Sequence, residues 1–146
     1  ILATQGTLNS TLFHQTVALY SDVKVVEQIG YELVQLIESG AMHSEKMTQL
    51  LKDYLLPMVA EDIDCLVLGC THYPYLIPQI KKILPKKITI IDSGEAVARQ
   101  TKKILEEIVG TNEKLHTSKN LFYTNTNPEV ITAILENKYP IIAQDF

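Results

Sequence analysis

The sequence is short of cysteine, of excess basic charge and of long apolar runs, and each scarcity excludes a class of protein. Two cysteines in 146 residues make no disulfide framework. Cys65 and Cys70 fall along one expected strand, spaced so that they do not bridge each other, and the chain reads as a reduced, cytosolic protein. Lys and Arg number 13 against 17 Asp and Glu, a net charge of −4. An acidic domain without a segregated basic face repels phosphate, so no nucleic-acid partner is expected. No apolar run approaches the ~20 residues of a membrane helix. The N-terminus has neither the basic region nor the cleavage pattern of a signal peptide, so no membrane partner is expected either. Internal repeats, low-complexity tracts and long linkers are missing as well.

What is present is ordinary: 46% hydrophobic and 21% charged residues. A chain of this size is one domain, or two small ones, and buries a core without staples. It opens Ile1-Leu2-Ala3-Thr4, which reads as the end of a buried strand, with no Met and no polar lead-in. Further chain upstream is therefore expected.

Short apolar strands alternate with amphipathic helices. Ile1–Thr4 is a strand end and Gly6-Thr7 a turn. Asn9 or Ser10 caps a helix running to about Leu19, Val23–Glu27 is a β-branched strand, and Tyr31–Glu38 is a helix stopped by Gly40. Ser44 caps the helix with the clearest stripe, Met47, Leu50, Leu51, Tyr54, Leu55 and Met58. Pro57 should kink or end it. Ile63–Gly69 has the near-continuous apolar pattern of a strand buried on both faces. Pro74 suits the first turn of the next helix, and Leu76, Ile77, Ile80, Ile83 and Leu84 point inward. Ile88–Ile91 is a strand, Asp92-Ser93 caps a helix closed by Gly110, and 111–120 is polar loop. Leu121–Thr124 is a strand, and Asn127-Pro128 starts a last short helix. This alternation predicts an α/β fold, a mainly parallel sheet with flanking helices. In such sheets the ligand crevice lies outside the carboxyl ends of the strands, which singles out Thr4–Thr7, Gly69–Pro74 and Asp92–Glu95.

Gly69-Cys70-Thr71-His72-Tyr73-Pro74 is the segment with the most chemistry. Cys70 follows the most buried strand and precedes a helix, where free N–H groups and the helix dipole favour a thiolate. Thr71 offers a hydroxyl and a backbone N–H to a carboxylate. His72 can exchange a proton with the thiol or with a substrate amine. The plainer reading, a small buried cysteine with a capping Thr and a surface His, weighs about as much. Cys65 lies mid-strand among Ile63, Leu66 and Val67 and reads as core. The Cys65–Cys70 spacing along a strand does not make a metal site. Thr4 and Thr7 flank Gly6, and either bind a carboxylate or cap a helix. Glu38 ends a helix and, taken alone, reads as solvated. Asp92 through Glu95 read as a helix cap with an acidic first turn. Lys81, Lys82, Lys86 and Lys87 form a solvated face. His14, His43 and His116 have no acidic or thiol partner nearby.

Asp64-Cys65-Leu66-Val67-Leu68-Gly69-Cys70-Thr71-His72-Tyr73-Pro74 and Ile91-Asp92-Ser93-Gly94-Glu95-Ala96 resemble the second half of the glutamate racemases, in the aspartate/glutamate racemase family. Ala3 through Ser10 is similar to that family's Thr-x-Gly-Thr loop, Leu36 through Gly40 to its Leu-Val-Glu-x-Gly segment, and Phe122–Thr124 with Asn127–Glu129 to its C-terminal strand and helix. The resemblance implies two pseudo-symmetric α/β domains with a site between them. It implies racemisation of L- and D-glutamate by two thiols without pyridoxal phosphate, metal or any other cofactor, as a supply for peptidoglycan. Cys70 would be one of the thiols, assisted by His72, with Glu38 supporting His72 or the substrate ammonium. Thr71, Thr4 and Thr7 would hold the substrate, and the intact enzyme would be a homodimer. Residues 1–92 would form most of one domain, and 93–146 would return to the other, whose N-terminal part is absent. The family's opening Asp-Ser-Gly-x-Gly-Gly loop and its other cysteine do not occur here, nor does its Cys-Pro pair ahead of Glu38, where Ile29-Gly30-Tyr31-Glu32 stands. The chain alone is thus expected to be inactive. The alternatives are a non-catalytic glutamate-binding fragment and an aspartate-specific racemase. A thiol hydrolase built on Cys70 and His72 lacks an evident third, orienting group.

Overall fold

Strand and helix alternate in the computed structural model, which describes residues 1–110 and 120–146. The order is β1 (Leu2–Ala3), α1 (Gln5–Leu8), α2 (Thr11–Ala18), β2 (Gln28–Ile29), α3 (Leu33–Glu38), α4 (Glu45–Ala60) and β3 (Cys65–Gly69). After a 3-10 turn (Tyr73–Leu76) come α5 (Ile77–Ile83), β4 (Thr89–Ile91), α6 (Gly94–Ile108), β5 (Phe122–Thr124), α7 (Pro128–Ile134) and β6 (Ile141–Ala143). The chain divides into two compact units, Ile1–Glu95 and Ala96–Phe146.

The first unit holds a four-stranded sheet in the order β2-β1-β3-β4. Every pairing is parallel: Leu2 opposite Gln28 and Leu68, and Cys65 through Val67 opposite Thr89 through Ile91. Parallel neighbours need helical crossovers, and α1 to α5 supply them. The core is built from Leu2 and Ala3 of β1, Leu66 and Leu68 of β3, and the inward faces of α3, α4 and α5. On α4 these are Met47, Leu51, Leu55 and Met58, the i, i+4 stripe visible in the sequence. The Ser44 side chain accepts from the Met47 N–H at 3.1 Å and starts that helix.

Several expectations change. The β-branched run 23–27 is not a strand. The ladder forms one step later, at Gln28 and Ile29, because β1 offers only Leu2 and Ala3 as partners. Gly6 and Thr7 lie within α1, a short helix capped by Thr4, rather than in a simple turn. Pro57 does not end α4: the helix runs on to Ala60, since burying Met58 outweighs one missing N–H on the exposed side. α3 starts at Leu33 rather than Tyr31, because Glu32 sits in the left-handed region at φ 61°; Gly40, at φ +75°, follows its end as expected. β3 is not buried on both faces. Leu66 and Leu68 are buried while Cys65, Val67 and Gly69 are half-buried. Pro74 falls in the 3-10 turn, and α5 begins only at Ile77.

In the second unit β5 and β6 pair in parallel through α7, Phe122 opposite Ile141. β6 was not expected, although Ile141-Ile142 after Pro140 carries a β-branched signal. The polar loop expected over 111–120 falls, apart from residue 120, outside the described residues, as does His116. No helix among the described residues is long and apolar enough to cross a membrane.

Candidate active site

Three parallel strands deliver their carboxyl ends to one edge: β1 brings Thr4, β2 brings Gly30, and β3 brings Cys70. Gly69 permits this closeness, since a Cβ there would lie 2.8 Å from the Ala3 Cβ of the adjacent strand. The backbone then turns at once. The Tyr73 N–H donates to the Cys70 carbonyl at 3.2 Å, which folds Thr71 and His72 over the strand end.

The turn puts Cys70 Sγ 3.9 Å from His72 Nδ1. That is long for a hydrogen bond but within the reach of sulfur, and such contacts commonly tighten when substrate binds. The far side of the imidazole meets α3, where His72 Nε2 lies 3.0 Å from Glu38 Oε1. With Nε2–H donating to Glu38, Nδ1 is left as an acceptor aimed at the thiol. Thr71 Oγ1, 3.5 Å away, shares that nitrogen. Sulfur, imidazole and carboxylate therefore stand in series, the order in which a base is oriented from behind and a nucleophile or acid–base thiol is served in front. Glu38, exposed to solvent, thus also stands within hydrogen-bond distance of His72, where the sequence offered no evident third group for a thiol hydrolase.

Thr4 and Thr7 lie on the same edge but are already occupied. Thr7 Oγ1–H donates to the Gly69 carbonyl at 3.2 Å. Its single proton being spent there, the 3.0 Å contact with Thr4 is a donation from Thr4 Oγ1. Thr4 also accepts the Thr7 N–H at 3.3 Å. The two threonines thus cap α1 and tie it to the strand end beneath Cys70, while Thr71 remains exposed.

The other candidates lie elsewhere. Cys65, at the opposite end of β3, is half-buried rather than core, because β3 alternates, and it borders a groove of about 490 Å³ with Val23, Ile63 and Val67. Burial, then the nearby Asp64, pushes its thiol up, which keeps it protonated. Asp92 accepts the Gly94 N–H at 2.8 Å, a cap as expected. His14 sits edge-on to Phe13, and His43 shares a 2.9 Å hydrogen bond with Gln79. One residue that sequence did not separate from its neighbours is Tyr73, fully buried directly after His72. Its only sequence signal is its place in the motif.

Residues 1–101 match the family model for Asp/Glu/hydantoin racemases. A glutamate racemase of Pseudomonas putida is 40% identical over 139 residues, 92% of this chain and 51% of its own length. A crystal structure of a glutamate racemase isoform from Bacillus anthracis superposes with a TM-score of 0.78 at 31% identity, covering 99% of this chain and 56% of that one. An Escherichia coli glutamate racemase, solved with L-glutamate and the activator UDP-MurNAc-ala, gives 0.76 at 26% identity over 97% of this chain and 55% of that one. The chain spans about half the length of the curated relatives it matches. With its parallel sheet and its motif-bearing strand end, the chain belongs to the Asp/Glu/hydantoin racemase family.

Proposed function

We propose that this chain contributes one thiol half-site of a cofactor-independent glutamate racemase, with Cys70 as the acid–base group. The observation that supports this most is the Cys70–His72–Glu38 series at the strand edge of a chain whose relatives are glutamate racemases. Glu38 orients His72, whose Nδ1 takes the thiol proton. The resulting Cys70 thiolate removes the α-proton from one face of the amino acid. Charge passes into the α-carboxylate, and a second acid returns a proton to the opposite face. In the reverse direction the two groups exchange roles, which is why a racemase needs an acid–base group on each side. Thr71 offers its exposed hydroxyl and N–H to the substrate carboxylate, and Thr4 and Thr7 border that position, with Thr7 holding Gly69.

Cys65 does not serve as the second group. It lies five residues back along the strand, roughly 16 Å at about 3.3 Å per residue, too far to address the same carbon. The opposite acid is proposed to come from outside these 146 residues, in a domain to which 93–146 also contribute. Free Cys65 and Cys70 fit a reducing, cytosolic setting, and a D-glutamate product fits peptidoglycan supply.

The test is Cys70→Ser in the intact protein, read as glutamate racemisation and as solvent deuterium entering the α-carbon. Loss of racemisation by about 10²–10⁴-fold is expected when a direct acid–base group is removed, with deuterium entry reduced to the exchange, without inversion, of the one enantiomer that the opposite group still serves. Unchanged racemisation would overturn the assignment. Turnover of aspartate alongside glutamate decides between those two substrates.

A further inference from the structure

Two adjacent residues after β3 reach across the end of β1 to the segment that follows β2, and only one of them is buried. His72 reaches Glu38 with the two side chains 33% and 60% exposed. A pair so wetted is screened and holds its geometry weakly. Tyr73 instead donates from Oη to the Gly30 carbonyl at 3.0 Å with its side chain fully buried. Gly30 is itself fixed, its N–H donating to Ala3 of the neighbouring strand at 2.9 Å. The fit leaves no spare room: a Cβ at position 30 would lie 2.5 Å from Tyr73 Oη and 2.7 Å from Leu33 Cδ1. Burial, with smaller effects from Cys70 and Tyr54, pushes the phenol far above its usual range, so it remains a donor.

The same tyrosine closes the turn that carries the chemistry. Its N–H bonds the Cys70 carbonyl, so Cys70, Thr71 and His72 hang from a residue pinned at its far end. We propose that Tyr73, seated on Gly30, is the positioning residue that sets the spacing between His72 and Cys70. Glu38 then sets only the tautomer and tilt of the imidazole. This rests on reading Cys70 and His72 as an acid–base pair, but not on glutamate being the substrate. The ionisable groups facing Cys70 are His72 and Tyr73, with Glu38 behind His72.

The test is the rate of Cys70 alkylation by iodoacetamide in the intact protein, followed by mass mapping of the Cys70 peptide from neutral to alkaline pH. Tyr73→Phe removes one hydroxyl and keeps the ring. It is expected to slow alkylation about fivefold at neutral pH, the effect of one lost buried hydrogen bond passed to the thiol, and to leave the alkaline limit unchanged. Gly30→Ala keeps the phenol but displaces it, and carries the same expectation should Tyr73→Phe fail to fold. In a His72→Ala background neither change should have a further effect. Equal rates in wild type and Tyr73→Phe would overturn the proposal, as would the same fivefold loss without His72. Glutamate turnover does not enter the readout, so failure of the racemase reading is seen separately, in the Cys70→Ser test.

Discussion

Cys70 owes its place to a local rule and its chemistry to distant residues. A cysteine between a buried strand and a helix in a parallel sheet arrives at the carboxyl edge wherever the rest of the chain goes. His72 follows two positions later and comes with it. Glu38 does not: 34 positions separate it from His72, and in sequence it is one carboxylate at a helix end. The contact forms because β2 and β3 flank β1, which brings the end of α3 beside the turn after β3. Their roles should differ in size. His72→Ala removes the proposed proton acceptor and is expected to lower glutamate kcat by about 10²–10⁴-fold. Glu38→Gln keeps a hydrogen-bond acceptor and loses only the charge, so a loss of about tenfold or less in kcat, with KM little changed, is expected from steady-state kinetics. A larger loss with Glu38→Gln than with His72→Ala would mean that Glu38 meets the substrate directly.

Among the elements, α4 contributes the largest share of the first unit's core. Met47, Leu51, Leu55 and Met58 are all essentially inaccessible. Leu55→Ala should cost about 2–5 kcal/mol, the range for a buried leucine whose cavity only partly collapses, measured by denaturant unfolding. The loop after α4 is held differently, by charge on its surface. Lys24 pairs with Glu61 and Lys87 with Asp62, both at 2.8 Å. The hydrogen bond and charge of Lys87 hold the Asp62 carboxyl below its usual range, and Lys24 does the same for Glu61. A carboxyl depressed in the folded state stabilises above its unfolded pKa, and that contribution disappears as pH falls through the folded value. Lys87 is raised in turn, so its share is lost only at strongly alkaline pH. Asp62→Asn suits the left-handed backbone at φ 54° and removes the charge alone. The Tm gap between wild type and Asp62→Asn should be small at neutral pH, shrink with salt, and close in acid. A gap that persists in acid would show that the carboxylate is not its source.

Taken whole, the chain is two units and one proposed half-site. In the second unit Val97, Ile104, Leu105 and Ile108 of α6 are exposed apolar residues, on a helix whose other positions are rich in charge. Of the two thiols, only Cys70 stands at the strand edge with a base beside it. A racemase working with one acid–base group exchanges the α-proton without inverting the centre. The 146-residue chain alone is therefore expected to convert neither enantiomer of glutamate into the other, while the intact protein converts both. Circular dichroism of each enantiomer, with deuterium uptake read by NMR, measures this. Two-way conversion by the 146 residues alone would refute the need for a second thiol elsewhere.

Sequence by itself determined the alternation of strand and helix, the parallel α/β class, the caps at Ser44 and Asp92, the stripe of α4 and the position of Cys70 at a strand end. All of these follow from period, capping and turn chemistry within a few residues. Tertiary structure alone decided that β2 begins at Gln28, that Cys65 is half-exposed, that Thr4 and Thr7 spend their hydroxyls on α1 and Gly69, and that His72 meets Glu38 while Tyr73 meets Gly30. Each of these depends on which strands lie side by side and in what register. Nothing in a local pattern encodes that choice, because it is fixed by burying several helices against one sheet at once.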